Sequence, residues 1–119
     1  MIEEAPNVVT EDGLRGLLAD GYLLEGVCKE AGEKRHNSWC GTWVVRAVAE
    51  DGRADKMLVT SRSYLKVREF KTIVGLVSFL AEMGCKSVSI PLEEGGRERH
   101  AAPGRIDAPR TGPVLVTDN

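Results

Sequence analysis

Hydrophobic residues recur at helical spacing in two parts of this chain. The first part follows Thr10, where Leu14, Leu17 and Leu18 come after two acidic residues that suit a first helical turn. Gly21 suits the end of this segment, because glycine adopts the left-handed conformation without strain. The pattern therefore predicts a short N-terminal helix.

The second helical stretch covers residues 72–83 and predicts the main helix, with Thr72 as its cap and Gly84 just after its end. Val74 and Phe79 extend its apolar surface around most of the circumference, so we expect a second copy of the chain to cover the outward side. This arrangement predicts a homodimer. The main apolar stripe of the helix consists of Ile73, Leu76, Val77, Leu80 and Met83.

Alternating and β-branched residues predict strands in the rest of the chain. Because hairpin-linked strands precede the main helix, the order favours an α+β fold: an antiparallel sheet of about four strands, with the main helix and the short N-terminal helix packed on one face. A polar turn is expected at residues 31–37. The expected strands are residues 22–29, 39–49, 56–61 and 86–92, and residues 64–69 either continue the third strand or form a short one.

Glycine and proline are concentrated near the C-terminus and predict the domain limits. Residues 94–119 lack any regular apolar period, so their composition is typical of a flexible tail. Residues 1–9 are also expected to be flexible. The sequence thus predicts a single folded domain over residues 10–93.

Composition narrows the class of protein. The 119 residues are 42% hydrophobic and 29% charged with a net charge of -2, which excludes a uniformly basic nucleic-acid coat. No apolar run approaches the roughly 18 residues that a membrane span needs, and acids stand at the start where a secretory signal has bases. The cysteines number three and lack C-x-x-C spacing. We therefore expect free thiols and a cytoplasmic protein that contacts no membrane.

Few residues suggest catalysis or metal binding. Cys28, His36 and Cys40 flank one turn and have the ligand types that zinc prefers, but they lack the spacing of a standard zinc site. The chain also lacks the glycine-rich motifs of nucleotide sites and the histidine pair of zinc proteases. The sequence therefore predicts no metal site, no cofactor and no enzymatic activity, with a small enzyme or zinc protein as the less favoured alternative.

Charge is distributed unevenly along the chain. Residues 29–71 carry ten bases and six acids, whereas residues 1–28 carry six acids and one base. If the strand register places these bases on one outward surface, that surface would contact phosphates. The predicted nucleic-acid-binding residues are Lys34, Arg35, Arg46, Lys56, Arg62, Lys66, Arg68 and Lys71.

Aromatic and apolar residues outside the expected core predict a protein contact. Trp39 follows a polar turn that is rich in hydrogen-bond donors, which is typical of a binding hot spot. Together with the outward side of the main helix, this predicts Trp39, Val74 and Phe79 as partner-binding residues.

A group of short segments carries a resemblance to a known family. The segments are residues 22–27, 38–45, 67–72, 76–80 and 84–88, and they include the Arg68, Phe70, Lys71 and Thr72 pattern at the entry to the main helix. Over about residues 20–93 the chain resembles the ParC-like, or partition-associated, small accessory proteins of bacterial plasmids and integrative elements. The resemblance implies a role in plasmid partition or maintenance on a mobile element.

Charge and resemblance together predict a non-enzymatic accessory protein that binds DNA or a DNA-bound partition protein. A second hypothesis is a protein-interaction or inhibitor module that acts on a host complex, since residues 1–28 and the Trp39 turn offer acids and an aromatic anchor for such a contact.

Overall fold

The computed structural model describes residues 7–52, 54–60 and 66–102. Residues 1–6 of the predicted N-terminal flexible segment lie outside these ranges. Arg62 and most of the predicted tail also lie outside them. In chain order the elements are β1 (Val8–Val9), α1 (Glu11–Ala19), β2 (Leu23–Arg35), β3 (Ser38–Val48), β4 (Asp55–Leu58), β5 (Phe70–Thr72), α2 (Ile73–Glu82) and β6 (Arg97–His100).

The sheet is larger than the sequence predicts, and its strand pairing is mixed. In the described ranges it contains six strands. Five of them have the order β1-β4-β3-β2-β6, and β5 pairs with β3 on the same edge as β4. The pair β1–β4 is parallel, and the other pairs are antiparallel. The prediction of an antiparallel sheet of about four strands is therefore wrong. The terminal strands have two and four residues, too few to show a strand period in the sequence.

The β2–β3 hairpin forms the centre of the sheet and is longer than predicted. Arg35 pairs with Ser38, so the turn consists of His36 and Asn37 alone rather than residues 31–37. His36 has a φ of 57°, a conformation that histidine adopts more readily than β-branched residues do. Register shifts between Cys28 and Glu30 and between Glu30 and Glu33 keep the polar stretch within the strand.

The core lies between one face of the sheet and the two helices. Trp43, Val45 and Ala47 alternate along β3 toward this side, and they pack with Leu14 of α1 and Leu80 of α2. The indole nitrogen of Trp43 donates a hydrogen bond to the carbonyl oxygen of Pro91 at 2.8 Å. Trp43 thus fills the core and also ties β3 to the segment after α2.

The sequence predicts α2 closely at both ends. The Thr72 hydroxyl accepts a hydrogen bond from the backbone nitrogen of Gly75 at 3.0 Å, and Gly84 has a φ of 110°. The hydrogen bond caps the start of the helix, and the left-handed conformation of Gly84 is typical of the residue that follows a helix end.

The outward side of α2 is less apolar than the sequence predicts. Phe79 is buried and its ring centroid lies 5.1 Å from that of Phe70, so Phe79 belongs to the core and is unavailable to a partner. Val74 is 71% exposed. Since a single exposed valine is ordinary on a protein surface, α2 does not by itself supply a dimer interface.

Two further predictions, the strand over residues 86–92 and the flexible tail from residue 94, differ from the structure after α2. Val88 and Ile90 pack against the core as their alternation predicts, yet the described residues 84–92 contain no strand. The edge of β2 pairs instead with β6, which lies within the predicted tail. Gly95, with a φ of 87°, stands in the turn that leads into β6. A highly charged strand at a sheet edge has no apolar period, and the sequence pattern therefore misses it.

Candidate functional site

The candidate site lies on the outer face of the sheet, which we define as the face opposite the two helices. Because side chains alternate along a strand, Arg46 points away from the core residues Val45 and Ala47. Glu25 of β2 lies directly across from Arg46, and Arg99 of β6 lies directly across from Glu25 on its other side. One row of the sheet thus carries a base, an acid and a base.

Three arginines converge on the carboxylate of Glu25. Arg46 Nη1 donates to Glu25 Oε1 at 2.9 Å, and Arg97 Nη1 reaches the same oxygen at 3.3 Å. Arg99 Nε donates to Glu25 Oε2 at 3.2 Å. Arg46 also pairs with Asp55 of β4 through its second terminal nitrogen. We call the four residues Glu25, Arg46, Arg97 and Arg99 the arginine cluster.

The central carboxylate is buried, while two of its partners face solvent. The Glu25 side chain is 3% exposed, whereas those of Arg97 and Arg99 are 54% and 51% exposed. A buried carboxylate is tolerated only when it is paired and hydrogen-bonded, and both Glu25 oxygens meet this condition. Each guanidinium has five N–H donors, so most donors of Arg97 and Arg99 remain free of Glu25.

The arginine cluster borders a cleft of about 420 Å³ and gives it a positive charge. With Lys29 and Asp55 included, this surface carries four bases and two acids in a chain whose net charge is -2. The surface therefore has the charge that an anionic ligand requires. The cleft is lined by Asn7, Val27, Lys29, Val44, Arg46, Asp55, Met57 and Arg97.

His100 fixes the strand that supplies two of the arginines. Its ring is buried, with Nδ1 lying 3.2 Å from the carbonyl oxygen of Leu24. Its Nε2 lies 2.9 Å from the backbone nitrogen of Ser89 and accepts that hydrogen bond in the tautomer with a proton on Nδ1. The end of β6 is thereby held to β2 and to the segment after α2.

The bases that the sequence predicts as nucleic-acid-binding residues do not gather on one surface. Arg46 lies in the arginine cluster, whereas Arg68 pairs with Glu11 and stacks on Phe70 and Phe79 beside the helices. Lys34 and Arg35 stand at the far end of the hairpin, with Arg35 paired to Glu33. Of the remaining predicted residues, Lys56 lies in β4, Lys66 is exposed before β5, Lys71 lies in β5, and Arg62 falls outside the described residues.

Glu25, Arg97 and Arg99 are not among the site residues that the sequence predicts. One signal for Glu25 is present, because it is a lone acid within an apolar strand, a pattern that indicates a buried and paired charge. For Arg97 and Arg99 the alternation of bases in residues 97–100 is visible, but it predicts a shared face only once a strand is assumed.

A second polar cluster lies in a cleft of about 540 Å³ near the hairpin end of the sheet. The Thr42 hydroxyl donates to Glu30 Oε1 at 2.7 Å and accepts from Lys71 Nζ at 3.1 Å. A nucleophilic hydroxyl needs an adjacent base, and the Glu30 carboxylate is in that position relative to the Thr42 hydroxyl. Here, however, the three groups satisfy one another and join β2, β3 and β5, which explains the cluster as a structural link.

The structure separates the residues of the zinc alternative. Cys28 lies in the core and its thiol donates to the Glu30 carbonyl oxygen at 3.2 Å, whereas His36 is in the exposed hairpin turn. Cys40 lines the second cleft. Across the three described ranges, no group of three or more histidines, cysteines and acids is arranged to hold a metal ion.

The cysteines differ in their expected reactivity. Burial is the main cause that raises the pKa of the Cys28 thiol, and it also raises the pKa of the Cys85 thiol. Since the thiolate is the reactive form, both should resist alkylation at neutral pH in the folded state. We expect iodoacetamide to label Cys40 first, and Cys28 and Cys85 only in denaturant, as measured by peptide mass spectrometry. Rapid labelling of Cys28 or Cys85 in the native protein would contradict their burial.

None of the helices in the described part of the chain has the length and apolar character needed to cross a membrane. Comparison of the chain with protein-family models, curated proteins and solved structures finds no match in any of the three.

Proposed function

We propose that this chain is a non-enzymatic protein that binds duplex DNA through the arginine cluster and Lys29 on the outer face of the sheet. The observation that carries the proposal is the convergence of three arginines on the buried carboxylate of Glu25. Their arrangement keeps several charge-assisted donors at fixed positions on an open surface. Arginine suits phosphate oxygens because its planar group forms two parallel hydrogen bonds.

Charge on the outer face supports a backbone contact with DNA. The excess of bases near the cleft attracts phosphates, while the net charge of -2 limits nonspecific attachment elsewhere. The proposed contact residues differ from those of the sequence-based hypothesis. Arg46 is common to both sets, whereas Lys29, Arg97 and Arg99 take the place of the other predicted bases.

The positions of the aromatic residues favour duplex over single-stranded DNA. Trp43 and Phe70 belong to the core, and none of the described residues that line the cleft beside the arginine cluster is aromatic. Without an aromatic platform, unpaired bases have nothing to stack on. Phosphate contacts alone predict modest sequence preference and a strong dependence on salt.

A salt titration of DNA affinity tests the proposal. For a short labelled duplex, we expect affinity to fall steeply as salt rises. The R97A/R99A double variant should reduce the slope of log affinity against log salt by roughly 1 if the two arginines contact one phosphate, and by roughly 2 if they contact two. Fluorescence anisotropy measures both quantities.

Arg15→Ala is the matched control, because Arg15 lies on α1 beside the opposite face of the sheet. It should leave the slope close to that of the unchanged protein. Failure of the unchanged protein to bind duplex at low salt would refute the proposal. Displacement of the duplex by polyglutamate at equal charge concentration would instead favour an acidic protein as the partner of this surface.

The plasmid-partition role, the cytoplasmic location and the homodimer belong to this proposal as expectations from the sequence. Analytical ultracentrifugation with and without duplex tests the homodimer directly.

A further inference from the structure

We propose that Glu25 is a positioning residue that builds Arg97 and Arg99 into a two-arginine clamp for one DNA phosphate. This inference rests on the proposed function and specifies how the site recognises its ligand. Its basis is the geometry of β6, where Arg97 and Arg99 lie two residues apart on one face and both donate to Glu25.

Strand geometry sets the spacing of the clamp. Residues two apart on a strand are separated by roughly 6.5–7 Å, so both guanidinium groups can reach oxygens of a single phosphate between them. Arg97 uses a terminal nitrogen toward Glu25, whereas Arg99 uses Nε. The bonds to Glu25 therefore do not use the two terminal nitrogens of Arg99, or the Nε and second terminal nitrogen of Arg97.

Glu25 has a positioning effect because like charges repel. Three guanidinium groups on neighbouring strands would turn apart without a central anion, and long side chains that are half exposed lose entropy when they are ordered by a ligand. The buried carboxylate orders them beforehand. A binding site arranged in advance loses less free energy on association.

Glu25→Gln distinguishes positioning from simple charge, because the two effects have opposite signs. If only charge mattered, removal of an acid would strengthen the binding of a polyanion. If Glu25 positions the arginines, we expect the variant to bind duplex about fivefold to tenfold more weakly, because long side chains that are not ordered beforehand lose conformational entropy on association.

Glu98→Gln is the matched control on the same edge strand. Glu98 is exposed and lies across from Gly26, on the side of β6 opposite Arg97 and Arg99. Removal of its charge should leave affinity unchanged or raise it slightly. Equal behaviour of E25Q and E98Q would overturn the clamp while leaving the DNA-binding proposal intact, since that proposal depends on R97A/R99A.

The R97K/R99K double variant tests the clamp without removing the buried acid. Lysine keeps both positive charges but lacks the planar fork, so we expect about a tenfold loss of affinity with little change in salt slope. Unchanged affinity would overturn the clamp even if E25Q failed to fold. Circular dichroism of each variant verifies its fold.

Discussion

Replacement of Trp43 by alanine is expected to lower the free energy of unfolding by about 3–5 kcal/mol, which is a large fraction of the stability of a typical small domain. Trp43 is fully buried and contacts the core while its indole nitrogen bonds to Pro91. The substitution leaves a large cavity. It also removes the indole N–H, so the Pro91 carbonyl oxygen loses this hydrogen bond. Urea unfolding monitored by far-ultraviolet circular dichroism measures the loss.

Trp39→Ala is the matched control, because the same substitution is made four residues earlier in the same strand, β3. Trp39 is 41% exposed, so we expect its removal to cost at most about 1 kcal/mol. Similar losses for the two variants would show that Trp43 does not organise the core.

Glu25→Ala is expected to have the second-largest effect, a destabilisation of about 2–4 kcal/mol. Truncation removes the shared counterion of Arg46, Arg97 and Arg99, and only Arg46 keeps a second acid, Asp55. The estimate is below the upper range for buried ion pairs because Arg97 and Arg99 are half exposed and solvent screens their repulsion.

Added salt should reduce this second effect, since screening weakens repulsion among the exposed arginines. The measurement is urea unfolding of E25A and of Glu98→Ala at low and high salt. For E98A we expect a change within about 0.5 kcal/mol, as for most exposed substitutions. A stable E25A variant at low salt would contradict the role of Glu25 as the anion that holds the arginines together.

Only part of the candidate site could be predicted from the sequence. A local excess of bases is visible in residues 29–71, but their contacts depend on acids far along the chain. Arg68, for example, pairs with Glu11, and Arg46 pairs with Glu25. The sequence therefore gives the number and positions of the bases, whereas the tertiary structure decides which of them an acid neutralises.

The sequence by itself determined the elements whose signals are local. The cap at Thr72, the glycine after α2 and the apolar stripe between them define that helix, and the β-branched run of β3 defines the central strand. These features depend on backbone preferences and on burial within a few residues.

Only the tertiary structure decided the extent of the sheet, the burial of Phe79 and the site itself. β6 is a charged strand of four residues that exists because β2 offers it an unpaired edge and His100 anchors its end. Glu25 and Arg99 are far apart in the chain, and their contact follows from strand register. The physical reason is that pairing between distant strands depends on hydrogen bonds and charges that no local sequence pattern contains.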